Sequence, residues 1–135
     1  MKSKKQMKGK IACLLMSLAL FAMQTTAVLA ATTFQPKIAT GFSPAGSSKQ
    51  YHCWLGGTSE RVAADMTYPD ENGALFIRLS AYMFKPNGTT YVGIRDGLGV
   101  GSAEACVDAI SGWPITSATG SYFIRSNQIA YLTIW

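Results

Sequence analysis

Few residues in this chain have chemistry to offer, and they do not gather into a motif. His52 is the single histidine, and it stands beside Cys53. A Cys–His nucleophile pair would need both side chains on one side. In an extended segment neighbours point to opposite faces, so the two do not easily meet. A Ser-His-Asp triad would draw on Asp65, Asp96 or Asp108, but no nucleophile motif accompanies them. A small hydrolase using His52 therefore stands only as an alternative.

Other clusters are equally sparse. A glycosidase pair would need two carboxylates across a cleft, for which a domain of this size has little room. Asp70-Glu71-Asn72 gathers oxygens that suit calcium, but three such residues in a row are also the chemistry of a hairpin turn. GLGVG, at Gly97 to Gly101, has the glycines of a phosphate loop without its spacing or its Lys-Ser/Thr ending, and reads as a flexible loop. Asn87-Gly88-Thr89 matches a glycosylation acceptor, yet Asn-Gly alone explains it as a turn. One histidine and no ligand cluster imply neither a metal nor a cofactor.

The aromatic residues are the more suggestive set. The chain has six Phe, six Tyr and three Trp. Phe76, Tyr82 and Phe84 alternate with Leu75, Ile77, Leu79 and Met83, so one strand carries aromatics on one face and aliphatics on the other. Two readings follow. The strand is central and both faces are covered, or the aromatic face is open and binds something by ring stacking or burial. Trp54 and Trp113 join Phe76, Tyr82 and Phe84 as candidate binding residues, with Trp135 at the end of the chain.

The elements that must position these residues read as strands. FQPKI places Phe34, Pro36 and Ile38 on one face, and the missing N–H of Pro36 makes it an edge strand or extended arm. A Gly/Ser/Pro loop, GFSPAGSSKQ, follows. YHCWL sets Tyr51, Cys53 and Leu55 against His52 and Trp54, and RVAADMTY alternates in the same way. PDENG and KPNG are turns on either side of the long strand ALFIRLSAYMF, and TTYVGIR returns as its partner. SAEACVDAI has helix formers but alternates. Its β surroundings favour a strand, with Ala103, Ala105, Val107 and Ala109 on one face. TSATGSYFIR and QIAYLTIW close a hairpin about Ser126-Asn127, so the last residues are tied into a sheet. Six to eight short strands with no long helix give an all-β fold, a small antiparallel β-sandwich or β-barrel.

The first thirty residues are a different object. Lys2, Lys4, Lys5, Lys8 and Lys10 precede an apolar run from Ile11 to Met23, broken only by Ser17, and small residues follow to Ala31. This is a secretory signal peptide, too short in its apolar part to span a bilayer. Cleavage is expected after Ala30, with Ala27 and Ala31 as alternative sites. The domains are then 1–30, the signal peptide, and 31–135, one β domain. Cys13 stands at the start of the apolar run, not at its end where a lipoprotein cysteine belongs. The lysine-rich start points to a secreted protein of a Gram-positive bacterium, with membrane contact only through the transient leader.

Removing the leader changes the charge. Of twelve Lys and Arg, five are the leader's lysines, which leaves seven against the seven Asp and Glu. The two signs are interspersed and no basic stripe survives, so nucleic acid is not an expected partner. Near-zero net charge also makes self-association plausible. Cys53 and Cys106 remain, and an even count in a secreted chain implies a disulfide between them.

In leader, size class, strand-only pattern and aromatic end (Tyr131 to Trp135), the chain resembles small secreted β-sandwich bacteriocins, which are shorter. That resemblance implies an antimicrobial or toxin-like protein as one alternative. The first expectation is a non-enzymatic secreted protein that binds an extracellular glycan or protein, or itself.

Overall fold

In the computed structural model, residues 31–43, 48–70 and 72–135 are described. Residues 1–30, on which the expected leader falls, part of the Gly/Ser/Pro loop (44–47) and Glu71 lie outside the described residues. Eight strands account for most of the described chain: β1 (Thr33–Phe42), β2 (Gln50–Thr58), β3 (Arg61–Thr67), β4 (Ala74–Phe84), β5 (Thr90–Val100), β6 (Ser102–Asp108), β7 (Ile115–Ile124) and β8 (Asn127–Ile134). They form two four-stranded sheets, β1-β2-β3-β6 and β5-β4-β7-β8, and every pairing is antiparallel. The all-β expectation holds, at the upper end of the anticipated strand number. The segment from Ser102 is the strand β6.

The two sheets share one core. β4 contributes Leu75, Ile77, Leu79, Ala81 and Met83, all essentially inaccessible, while its alternate residues face outward. β3 brings Val62, Ala64 and Met66, β6 brings Ala103, Ala105 and Val107, and β7 brings Ile115, Ala118, Tyr122 and Ile124. Each buried Leu or Ile is worth about 1.5–3 kcal/mol relative to exposure. Tyr122 carries a polar group into this core and satisfies it across the layers: its hydroxyl donates to the Trp54 carbonyl at 2.5 Å. The arrangement is sandwich-like, with the chain crossing between sheets after β3, β5 and β6.

Two local readings are corrected by the structure. Gly97 and Gly99 do not form a loop; they belong to β5. With Gly93 they line its inward side, where an added Cβ would strike the Glu104 carbonyl at Gly97 and the Ser102 carbonyl at Gly99. The glycines let β6 press against β5, and the turn between the strands falls on Gly101, at φ 78°. β1 is an edge strand as Pro36 implied, but Phe34, Pro36 and Ile38 do not share a face. A bulge between Phe34 and Lys37 shifts the register, so Phe34 is buried while Ile38 is exposed.

The expected Cys53–Cys106 disulfide is not present in this structure, where Cys53 is a free, buried thiol. Both residues flank β3, Cys53 opposite Met66 and Cys106 opposite Ala63. Cys53 faces the core with Leu55, whereas Cys106 alternates with the core residues Ala105 and Val107 and so faces outward. Two cysteines on opposite faces, with a strand between them, cannot be bridged without moving the backbone.

Candidate functional site: the outer face of the β5-β4-β7-β8 sheet

The long strand β4 fixes this face. Its core side is filled by aliphatic residues, so the pleat forces Phe76, Arg78, Ser80, Tyr82 and Phe84 outward. The Lys85-Pro86-Asn87-Gly88 turn then sets the neighbour. Asn87 Oδ1 accepts from the Thr89 N–H at 3.0 Å, and Gly88 takes φ 90°. Pairing of Phe84 with Thr90 places Val92 beside Tyr82, Ile94 beside Ser80, Asp96 beside Arg78 and Leu98 beside Phe76. On the other flank, β7 sets Ser117, Thr119, Ser121 and Phe123 against Tyr82, Ser80, Arg78 and Phe76. β8 adds Tyr131 and Thr133.

The result is an open surface in which rings and aliphatic side chains are interleaved with hydroxyls. Phe84 is 43% exposed and Leu98 76% exposed, and Tyr82, Val92, Ile94 and Tyr131 are also exposed. Nothing among the described residues covers them. Of the two readings of the aromatic strand, the open face is the one present. Phe76 and Phe123 form a tilted pair with centroids 5.4 Å apart. At this end an open notch of about 280 Å³ is lined by Leu75, Phe76, Leu98, Phe123 and Arg125.

The polar centre of the face is a cross-strand ion pair. Arg78 donates to Asp96 through Nε and Nη2, both at 2.9 Å. These hydrogen bonds hold the Asp96 carboxyl below its ordinary range and raise the Arg78 guanidinium. Both groups stay ionised at neutral pH and offer fixed donors and acceptors in the middle of the apolar surface.

The candidate binding residues do not all meet. Phe76, Tyr82 and Phe84 share this face. Trp54 is on the outer side of the other sheet, half-buried, between Ile38 of β1 and Asp65 of β3, with its ring over Gly56. Trp113 lies in the β6–β7 connection near the Phe84 end, where the Phe84 N–H donates to the Pro114 carbonyl at 3.1 Å. The Lys85 ammonium sits 5.3 Å from the Trp113 ring centroid. Val92, Ile94 and Leu98 are members of the face that sequence reasoning did not select. The hairpin register from Asn87-Gly88 was the signal that placed them.

The other candidate residues are placed apart or in turns among the described residues. His52 is exposed on the outer side of β2, while Cys53 points into the core. Asp70 Oδ1 accepts from the Asn72 N–H at 3.0 Å, which is turn chemistry. Arg61 and Asp108 form a second bidentate pair, on the outer side of the β1-β2-β3-β6 sheet, with Nη2 to Oδ2 at 2.8 Å. A comparison of the chain with family models, curated proteins and solved structures finds no match.

Proposed function

We propose that the protein is a small secreted bacterial binding protein without enzymatic activity. Its leader is removed after Ala30, and the outer face of the β5-β4-β7-β8 sheet holds an extracellular partner. The observation that carries this reading is the composition of that face: Phe76, Tyr82 and Phe84 along one strand, flanked by Val92, Ile94 and Leu98 and by a row of hydroxyls. From Phe76 to Phe84 is eight residue steps, about 27 Å at the rise of a strand. Rings for stacking, hydroxyls and a bidentate ion pair along one line suit a linear cell-envelope glycan better than a small ligand. A purely apolar protein groove would not need the hydroxyl row.

The test is co-sedimentation of the purified chain from Ala31 with insoluble cell-wall glycan. Wild type should pellet with the glycan and be released by soluble fragments of it. Tyr82→Ala with Phe84→Ala should weaken capture at least about tenfold, as expected for stacking contacts worth roughly 0.5–1.5 kcal/mol each beyond the area they bury. Equal pelleting of wild type and double variant, or none of either, would overturn the glycan reading. Selective capture of a secreted protein by the same residues would move the partner from glycan to protein.

A further inference from the structure

The four sheet edges are not treated alike by the sequence. Edge strands invite pairing with other chains, and proteins blunt them with charge, proline, bulges or cover. β1 has Pro36, Lys37 and a bulge between Phe34 and Lys37. β6 is short, carries Glu104 and Asp108, and lies against β5. β5 carries Arg95 and Asp96, and its glycines are closed over by β6. β8 has no charge or proline along its length, and β1 and β2 of the other sheet pack only beside it. From Asn127 to Trp135 the chain reads NQIAYLTIW, without a charge, a proline or a glycine. A bulge occurs only at its start, opposite Tyr122 and Phe123. Beyond its ladder with β7, its hydrogen bonds among the described residues come to one, from the Tyr51 hydroxyl to the Ile129 carbonyl at 3.3 Å. The backbone groups on the free side of Tyr131 to Trp135 are left to solvent, as on any sheet edge.

We infer that β8 is a docking edge for a second copy of this chain, two β8 strands pairing antiparallel about a two-fold axis to join two β5-β4-β7-β8 sheets into one. The sequence of β8 is self-complementary in that geometry. An axis at Thr133 sets Thr133 against itself and Tyr131 against the partner's Trp135 on the outward side, with Leu132 against the partner's Ile134 on the other. Thr–Thr and aromatic–aromatic pairs are among the favourable cross-strand neighbours. Trp135 is 79% exposed in the single chain and gains a ring partner. No charge on β8 opposes self-pairing, and the seven-to-seven balance of residues 31–135 adds no net repulsion. A two-fold contact of this kind closes on itself, so it ends at a dimer and not a fibre.

This inference deepens the binding reading, and rests on it only for its consequence. Joining the sheets edge to edge puts two outer faces side by side, and a repeating polymer can then be held at two points with gain in avidity.

Both sheets and their shared core lie within residues 31–135, so the chain from Ala31 is the protein to test. Its mass is measured by size exclusion with light scattering over a concentration series. Wild type should run at twice the monomer mass. Thr133→Lys and Thr133→Glu should each run at monomer mass with unchanged β circular dichroism, and an equal mixture of the two should return to dimer mass. Leu98→Ser and Phe84→Ser, on the face and not the edge, should stay dimeric. A wild-type monomer at every concentration, dimers in both Thr133 variants, species larger than a dimer, or loss of the dimer in the face variants would each overturn the proposal. Dimer mass is read by light scattering and glycan capture by co-sedimentation of wild type, so failure of the dimer and failure of the glycan reading are read separately.

Discussion

Burial, and to a smaller extent the Asp65 carboxylate, push the Cys53 thiol up to about 12. The folded state therefore holds the proton longer than the unfolded chain, whose thiol titrates near 9.0. The sign follows from linkage: the stabilising contribution is complete below about pH 9 and is lost as pH rises toward 12. Urea unfolding midpoints should be flat between neutrality and about pH 8.5, then decline, and Cys53→Ala should flatten part of that decline. At neutral pH a buried, protonated thiol is a poor nucleophile. Iodoacetamide should label Cys53 no faster than the domain unfolds, and peptide mapping distinguishes it from Cys106. Labelling as fast as a free peptide thiol would contradict its burial. The same residue shows what cysteine counting leaves out. An even number says nothing about faces, whereas alternation along YHCWL and SAEACVDAI already put Cys53 with Leu55 and set Cys106 apart from Ala103, Ala105 and Val107.

Strands with strong alternation were legible from the sequence, and strands whose regularity is broken for packing were not. β4 could be read residue by residue because aliphatics fill one face, and the Asn87-Gly88 turn marked its hairpin. β5 escaped after Arg95 because glycine is read as loop when its local conformation is considered alone. Its role at Gly97 is close approach of another backbone, a tertiary fact. Gly97→Ala should therefore cost about 1–3 kcal/mol, the range for overpacking, since the Glu104 carbonyl must move; equilibrium denaturation reads it. The β7–β8 turn gives a change of opposite sign. Arg125 and Ser126 both take positive φ, 48° and 71°, as a tight primed hairpin turn demands. Arg125 is held there by its own N–H to the Ala74 carbonyl at 2.9 Å and its Nε to the Asn72 carbonyl at 2.8 Å. Ser126 has only the backbone to fix it, and a left-handed residue with a Cβ costs roughly 1–2 kcal/mol. Ser126→Gly should raise stability by about 1 kcal/mol, while Ser126→Val should lower it.

For the molecule as a whole, folding and binding draw on opposite sides of the same strand. The pleat of β4 separates them residue by residue: Leu79 is fully buried between the sheets, and Phe84 is displayed outside. The core side is closed by both sheets, so truncation there leaves a cavity, and Leu79→Ala should cost about 2–5 kcal/mol. The outer side is not closed over by a second layer, so Phe84→Ser leaves no enclosed cavity and should cost less than Leu79→Ala, about 1 kcal/mol or under. An exposed apolar patch of this kind should also take up a hydrophobic dye in the native state, which monomeric domains with charged surfaces do not do. Dye fluorescence should fall in Phe84→Ser and Leu98→Ser with only a small shift in the unfolding midpoint. In Leu79→Ala the midpoint should fall, while native-state dye binding at low temperature stays at the wild-type level. If Phe84→Ser unfolded as readily as Leu79→Ala, the outer face would be a structural layer, and a partner would have to be sought elsewhere on the fold.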